Sequence, residues 1–144
     1  VLAPFCDKVI GVDRSAKMLQ MAEHLAKKAS LNYELFNSDV TSLPFANDTI
    51  DAVFINMVLH HVPVPQQAIN EAARVLRKNG KIFLIDMEEH DDENFRDTQG
   101  DLWLGFSKDD LINWLNVAGL QVEMQTSKPY MQHKIIIIKA TKSE

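Results

Sequence analysis

The sequence has little of what marks disulfide-rich, membrane-spanning or secreted proteins. Cys6 is its only cysteine, which excludes a disulfide framework and is typical of a reducing compartment, so we expect a cytoplasmic protein. No apolar run approaches the roughly 20 residues of a membrane span. The N-terminus VLAPFCDKVIGVD has acidic residues where a signal peptide would be basic. These absences predict a soluble protein with no membrane partner.

Positive charge is also scarce. The chain has 15 Lys and Arg against 20 Asp and Glu, a net charge of -5, and no basic stripe. A phosphate backbone would find few partners here, so we expect no nucleic-acid binding through this chain itself. With 144 residues, 46% of them hydrophobic, the composition favours one globular domain over residues 1–144.

Glycine is rare where a phosphate-binding loop would need it. The five glycines, at positions 11, 80, 100, 105 and 119, contain no Gly-x-Gly pair. In a dinucleotide fingerprint, a glycine-rich turn lies about 20 residues before an acidic strand end. Counting back from Asp13 passes the start of the chain. We therefore expect either an N-terminally truncated domain that begins after its first strand, or a fold without that strand.

Along the chain, the apolar residues alternate between the spacing of strands and the spacing of helices. Short apolar runs predict strands at residues 9–12, 33–36 and 50–55. Helical spacing of apolar residues predicts a helix at 16–29, which Ser15 caps. We expect the buried face of this helix to contain Met18, Ala22, Leu25 and Ala29. A second helix opens at Pro63 and Pro65 and stops at Asn79-Gly80, before a strand at 81–86.

The last third of the chain changes character. Residues 86–101 contain eight acidic residues and one basic residue, Arg96, which predicts a solvated loop or short helix. Ser107 and Asp110 form a capping box for a helix that Gly119 ends. Strands at 120–124 and 134–139 follow too closely for a helical crossover, so they should pair antiparallel.

This order predicts an α/β fold with a Rossmann-like, doubly wound, mostly parallel sheet and an antiparallel C-terminal hairpin. Such sheets bind ligands at the carboxyl ends of their strands, where Asp13, Asp39 and Asn56 stand. Asp13 is placed to accept hydrogen bonds from both ribose hydroxyls, although it could simply help to start the next helix. Asp39 could accept from the exocyclic amine of adenine, with the Val40 amide donating to the ring, or be an ordinary turn aspartate.

Three segments in succession, VIGVDRSAKML, FNSDVTSLPFANDTIDAVFINMVLHHV and EAARVLRKNGKIFLID, resemble class I S-adenosylmethionine-dependent methyltransferases. The stretch HHVPVPQQAINEAARVLRKNGKIFLIDMEEH, followed by GDLWLGFS, looks most like methyltransferase domains fused to ArsR-type regulators. The resemblance implies that the last strand inserts between two earlier ones. The family's glycine-rich first loop has no counterpart here.

The resemblance also implies roles for individual residues. Asp13 would hold the ribose of S-adenosylmethionine, with Arg14 and Met18 near the adenosine. Asp39 and Val40 would address the adenine. Asn56 and Met57 would border the methionine part of the cofactor and the substrate, just before His60 and His61.

The two neighbouring histidines invite a metal or acid/base interpretation. Neighbouring side chains diverge by about 100° on a helix and by more on a strand, so we expect no shared metal site. One ring should be packed or hydrogen-bonded. The other, for which we favour His61, should be open and serve as a general base.

We therefore expect an S-adenosylmethionine-dependent methyltransferase acting on a small molecule. Two alternatives stay open: a cofactor-sensing or regulatory module of a transcription-regulator fusion, and an NAD-dependent dehydrogenase, since Asp13 suits that cofactor equally. A sheet without its first strand should leave a gap, pair the flanking strands directly, or borrow a strand from a neighbour as a homodimer or by strand exchange.

Overall fold

The computed structural model describes residues 6–144, and the chain divides between Pro44 and Phe45 into two compact units. A short 3-10 turn spans Leu59–His61. The helices and strands, in chain order, are β1 (Val9–Asp13), α1 (Ala16–Lys28), β2 (Tyr33–Asn37), β3 (Ile50–Asn56), α2 (Pro65–Val75), β4 (Leu76–Met87), α3 (Asn94–Gln99), α4 (Lys108–Val117), β5 (Leu120–Tyr130) and β6 (His133–Lys142).

The first unit is a two-stranded parallel sheet, β1 with β2, and the helix α1 that connects them. Ser15 caps α1 as predicted, because its Oγ accepts a hydrogen bond from the Met18 amide at 3.3 Å. The predicted inner face of α1 is wrong: Met18 and Leu25 are 51% and 63% exposed, while Ala26 is buried. The buried face is turned by one residue, about 100° of helix, and a two-stranded sheet is too narrow to cover the remaining apolar stripe.

The second unit contains a four-stranded sheet in the order β3-β4-β6-β5. β3 and β4 are parallel, whereas β6 runs antiparallel to both β4 and β5. The predicted insertion of the last strand between two earlier strands is confirmed. Ile136 and Ile138 of β6 are fully buried, which explains the run of four isoleucines. Parallel and antiparallel strands with helices confirm the predicted α/β class.

Two boundaries differ from the prediction. α2 ends at Val75 and not at Asn79-Gly80, because Leu76 is fully buried and already pairs with Ile50 of β3. Asn79 still adopts the left-handed conformation, at φ 61°, but within the irregular start of β4. The strand predicted at 120–124 continues to Tyr130, paired with β6, so only Met131 and Gln132 separate the two strands of the hairpin.

The acidic stretch contains the short helix α3, as predicted, but it is not solvated throughout. Asp86 and Asp101, at its two ends, are 0% and 5% exposed. The capping box of α4 is present, with the Asp110 amide donating to Ser107 Oγ at 3.1 Å. Among the described residues, no helix combines the length and apolar character that crossing a bilayer requires.

Candidate functional site

In the first unit, polar side chains gather at the carboxyl edge of the sheet. The register pairs Asp13 with Asn37, so β1 and β2 end side by side. Asn37 Nδ2 donates to the carbonyls of Asp13 and Arg14 at 3.1 and 2.8 Å. Arg14 Nη1 lies 3.4 Å from Asp39 Oδ2. The structure thus brings Asp13 and Asp39 together, as the strand-end pattern predicts, and Arg14, which the resemblance places near the adenosine, lies beside Asp39.

Asp13 takes part in starting α1. Its Oδ1 accepts a hydrogen bond from the Ser15 amide at 2.7 Å. Among the described residues, none donates a hydrogen bond to Oδ2. Since each carboxylate oxygen can accept two hydrogen bonds, the helix-start role leaves capacity for two hydroxyl donors.

Asp39 takes part in a turn, as the alternative interpretation of Asp39 as an ordinary turn aspartate predicts. Its Oδ1 accepts from both the amide and the hydroxyl of Thr41, each at 2.8 Å. The Thr41 amide, then its hydroxyl, and then the charge of Arg14 outweigh burial and hold the pKa of Asp39 below its ordinary value. Asp39 is therefore a fixed, ionised acceptor. Val40 next to it is half-buried, and Met18 on the first turn of α1 is exposed.

In the second unit, the end of β3 has a strained backbone. Asn56 is exposed, and Met57 after it adopts φ 55°, a left-handed conformation that is unfavourable for a residue with a side chain. The Met57 amide donates to the carbonyl of Ile85 at 2.8 Å, which helps to hold it there. Strain of this kind concentrates at functional sites.

His60 is the packed member of the histidine pair. Its ring is buried, with Nδ1 2.5 Å from Asp86 Oδ1. Asp86 also accepts from the amides of Leu59 and Met87, at 2.9 and 2.8 Å. Burial alone would lower the pKa of His60, but the hydrogen bond and charge of Asp86, together with the charge of Asp101, raise it above its ordinary value.

His61 is the open member, with a side chain that is 44% exposed. Its Nδ1 lies 3.6 Å from Asp101 Oδ1, and His60 Nε2 lies 3.8 Å from the same oxygen. The expected division into one packed and one open histidine is present. The premise that the two rings point apart is wrong: their centroids are 4.1 Å apart, because the 3-10 turn and Asp101 bring both rings to one carboxylate.

Asp86 and Asp101 are the residues that the sequence analysis missed. Asp86 is the next-to-last residue of β4, near the carboxyl end of its strand as Asp13 is at that of β1, a signal that could have found it. Asp101 had no comparable signal. The loop after it holds the histidine turn: the Leu102 and Trp103 amides donate to the His60 carbonyl at 2.9 and 3.1 Å, and Trp103 Nε1 donates to the Val62 carbonyl at 2.9 Å.

Comparisons with known families and proteins find similarity to methyltransferases. A family model described as "Methyltransferase domain" matches residues 1–84. "Uncharacterized methyltransferase YcgJ" of Bacillus subtilis is 31% identical over 85 residues, which cover 58% of this chain and 34% of that protein. "Demethylmenaquinone methyltransferase" of Listeria welshimeri is 35% identical over 82 residues, covering 56% and 35%. The matched part thus spans about a third of the length of these curated relatives.

Solved structures agree on the fold. The crystal structure of the YcgJ protein superposes with a TM-score of 0.86 at 18% identity, covering 99% of this chain and 86% of that one. A structure described as a SAM-dependent methyltransferase from Aquifex aeolicus has a TM-score of 0.75 at 21% identity, covering 94% and 69%.

Proposed function

The chain belongs to the methyltransferase domain family, and we propose that it transfers a methyl group from S-adenosylmethionine to a small-molecule acceptor. One observation carries the proposal: Asp13 and the turn containing Asp39 lie at the same carboxyl edge of a parallel strand pair. That edge is where α/β sheets bind nucleotide ligands. Family membership favours methyl transfer over the hydride transfer that Asp13 alone would also allow.

We assign the cofactor contacts as follows. Asp13 accepts the two ribose hydroxyls, and Arg14 and Met18 lie along the adenosine. Asp39 accepts the adenine amine while the Val40 amide donates to the ring. From the family resemblance alone, we also propose Asn56 and Met57 as contacts of the methionine part.

The transfer itself is an in-line displacement. The acceptor atom bonds to the methyl carbon as the carbon–sulfur bond breaks, and S-adenosylhomocysteine leaves. Such a step gains most from alignment and from removal of water. Where the acceptor carries a proton, His61 is our proposed base, because its side chain is 44% exposed and open to an acceptor.

Calorimetry with S-adenosylmethionine tests the cofactor site. Hydrogen bonds to a charged group contribute about 1.5–3 kcal/mol, so Asp13→Asn should weaken binding by roughly 10- to 100-fold. Asp7→Asn is the matched control, because Asp7 is exposed and lies before the opposite end of β1. Equal affinity of Asp13→Asn and the wild type would remove Asp13 from the site.

Turnover tests His61. His61→Ala should lower the methyl-transfer rate by about 100-fold or more while leaving the affinity for S-adenosylmethionine unchanged, since general-base catalysis typically contributes 10²–10⁴-fold. An unchanged rate would show that His61 is not the base.

A regulatory role is the second candidate, supported by the likeness of residues 60–90 and 100–107 to domains fused to ArsR-type regulators. In that case, DNA binding by the intact host protein should change with S-adenosylmethionine and lose this response in Asp13→Asn. We also propose a cytoplasmic location, consistent with the single cysteine, Cys6, which is free.

A further inference from the structure

We propose that His60, His61 and Asp101 bind a divalent transition metal ion, with Zn²⁺ the best match to these donors. One ring nitrogen of each histidine and one oxygen of Asp101 lie within 4.8 Å of one another. Two imidazoles and a carboxylate form a known set of protein ligands for zinc, with a fourth position open to water. The inference goes beyond the proposed function, because it concerns binding by these three residues whether or not a methyl group is transferred.

The distances fit a shared ion better than direct hydrogen bonds. Asp101 Oδ1 lies 3.8 Å from His60 Nε2 and 3.6 Å from His61 Nδ1, both too long for a hydrogen bond. Two ligand atoms, each 2.0–2.1 Å from a tetrahedral zinc ion, are about 3.3–3.4 Å apart. Each histidine nitrogen therefore needs to close on Asp101 Oδ1 by only a few tenths of an ångström to reach that spacing.

Asp101 also needs a partner. It is 5% exposed, and among the described residues none donates a hydrogen bond to its Oδ1. A buried carboxylate oxygen without a partner is costly, and in native proteins it calls for an explanation such as a bound ion. A cation held between Oδ1 and the two imidazoles would supply the missing interaction.

Asp86 supplies the support that histidine ligands usually have. Its Oδ1 lies 2.5 Å from His60 Nδ1. With a proton on Nδ1, the Nε2 lone pair is directed toward the space shared with Asp101. A carboxylate behind the ligating histidine fixes the ring and makes its nitrogen more basic. The Leu59 and Met87 amides hold Asp86 itself in place.

Metal binding and proton acceptance would compete at His61. A metal on Nδ1 leaves the proton on Nε2, so a metal-bound His61 is not a base. The test is therefore made without cofactor or acceptor, and its outcome is independent of that of the methyl-transfer proposal.

The probes are Zn²⁺ in calorimetry and Co²⁺ in visible absorption, both with chelator-treated protein. We expect one Zn²⁺ per chain with micromolar or tighter affinity, and absorption bands typical of low-coordinate Co²⁺. Asp101→Asn and His61→Ala should each weaken Zn²⁺ binding at least 10-fold. His24→Ala and His133→Ala are controls, since neither residue belongs to the cluster, and both should bind as the wild type does.

Absence of Zn²⁺ binding below millimolar concentration would overturn the proposal, as would unchanged affinity in His61→Ala. Because the His61 side chain is 44% exposed, this variant should fold even if Asp101→Asn does not. Loss of binding in His133→Ala with retention in His61→Ala would place the ion elsewhere and refute the site.

Discussion

Replacing Asp86 tests whether the buried end of β4 holds the histidine turn in place. In Asp86→Ala the Leu59 amide and His60 Nδ1 lose their acceptor inside the protein, where Asp86 is 0% exposed. An unsatisfied buried donor costs about 1–3 kcal/mol, and breaking a buried charged pair costs about 3–5 kcal/mol. Because the two costs overlap at His60, we expect a loss of about 3–5 kcal/mol in the free energy of unfolding, a large share of the typical 5–15 kcal/mol.

Urea denaturation followed by circular dichroism measures this loss. The free energy of unfolding of Asp86→Asn should lie between those of Asp86→Ala and the wild type, because the side-chain oxygen of asparagine still accepts a hydrogen bond. Asp97→Ala, on the exposed side of α3, is the control and should change stability by less than about 0.5 kcal/mol. A loss below about 1 kcal/mol in Asp86→Ala would show that other contacts, and not Asp86, hold the turn.

Three further predictions follow from other parts of the structure. Gly105→Ala should lower the melting temperature, because Gly105 has φ 77° and an added Cβ would lie 2.5 Å from the Glu88 carbonyl oxygen. The left-handed backbone alone costs a residue with a side chain about 1–2 kcal/mol. An unchanged melting temperature would contradict this prediction. Lys139, Lys81 and Thr141 lower the pKa of Glu123 from 4.5 to about 2, so the stability it contributes is present above pH 4.5 and lost as the pH falls toward 2. Glu123→Gln should flatten the stability profile over that window, and an identical acid profile would show that the contacts do not act in solution. Finally, in the part of the chain that the structure describes, β3 is an edge strand that carries the exposed Phe54, so we expect a homodimer or strand exchange. Light scattering should give twice the chain mass, and a monomer at all concentrations would exclude it.

How far the sequence predicts this structure depends on the range of the interactions. Ser15, the strand ending at Asp13 and the α4 capping box follow from neighbours within a few residues, and they are where the sequence places them. The end of α2 was missed because burial of Leu76 and its pairing with Ile50 override a good local stop signal.

In the candidate site too, the sequence predicts what depends on local patterns and misses contacts between distant residues. The gathering of Asp13 and Asp39 follows from parallel strands ending at one edge. The Asp86–His60 pair joins residues 26 positions apart, and Asp101 approaches His61 from a loop 40 positions on; no local pattern encodes either contact. The predicted divergence of the two histidine rings was wrong for this reason, because a distant carboxylate brings them together.

The most direct test of the account is whether Asp13 recognises the ribose hydroxyls of the cofactor. It compares binding of S-adenosylhomocysteine with binding of its 2′,3′-dideoxy analogue, to the wild type and to Asp13→Asn. The account predicts that the wild type prefers the hydroxylated ligand by roughly 10- to 100-fold and that Asp13→Asn loses most of this preference. The same preference in both proteins, or no binding of either ligand to the wild type, would contradict it.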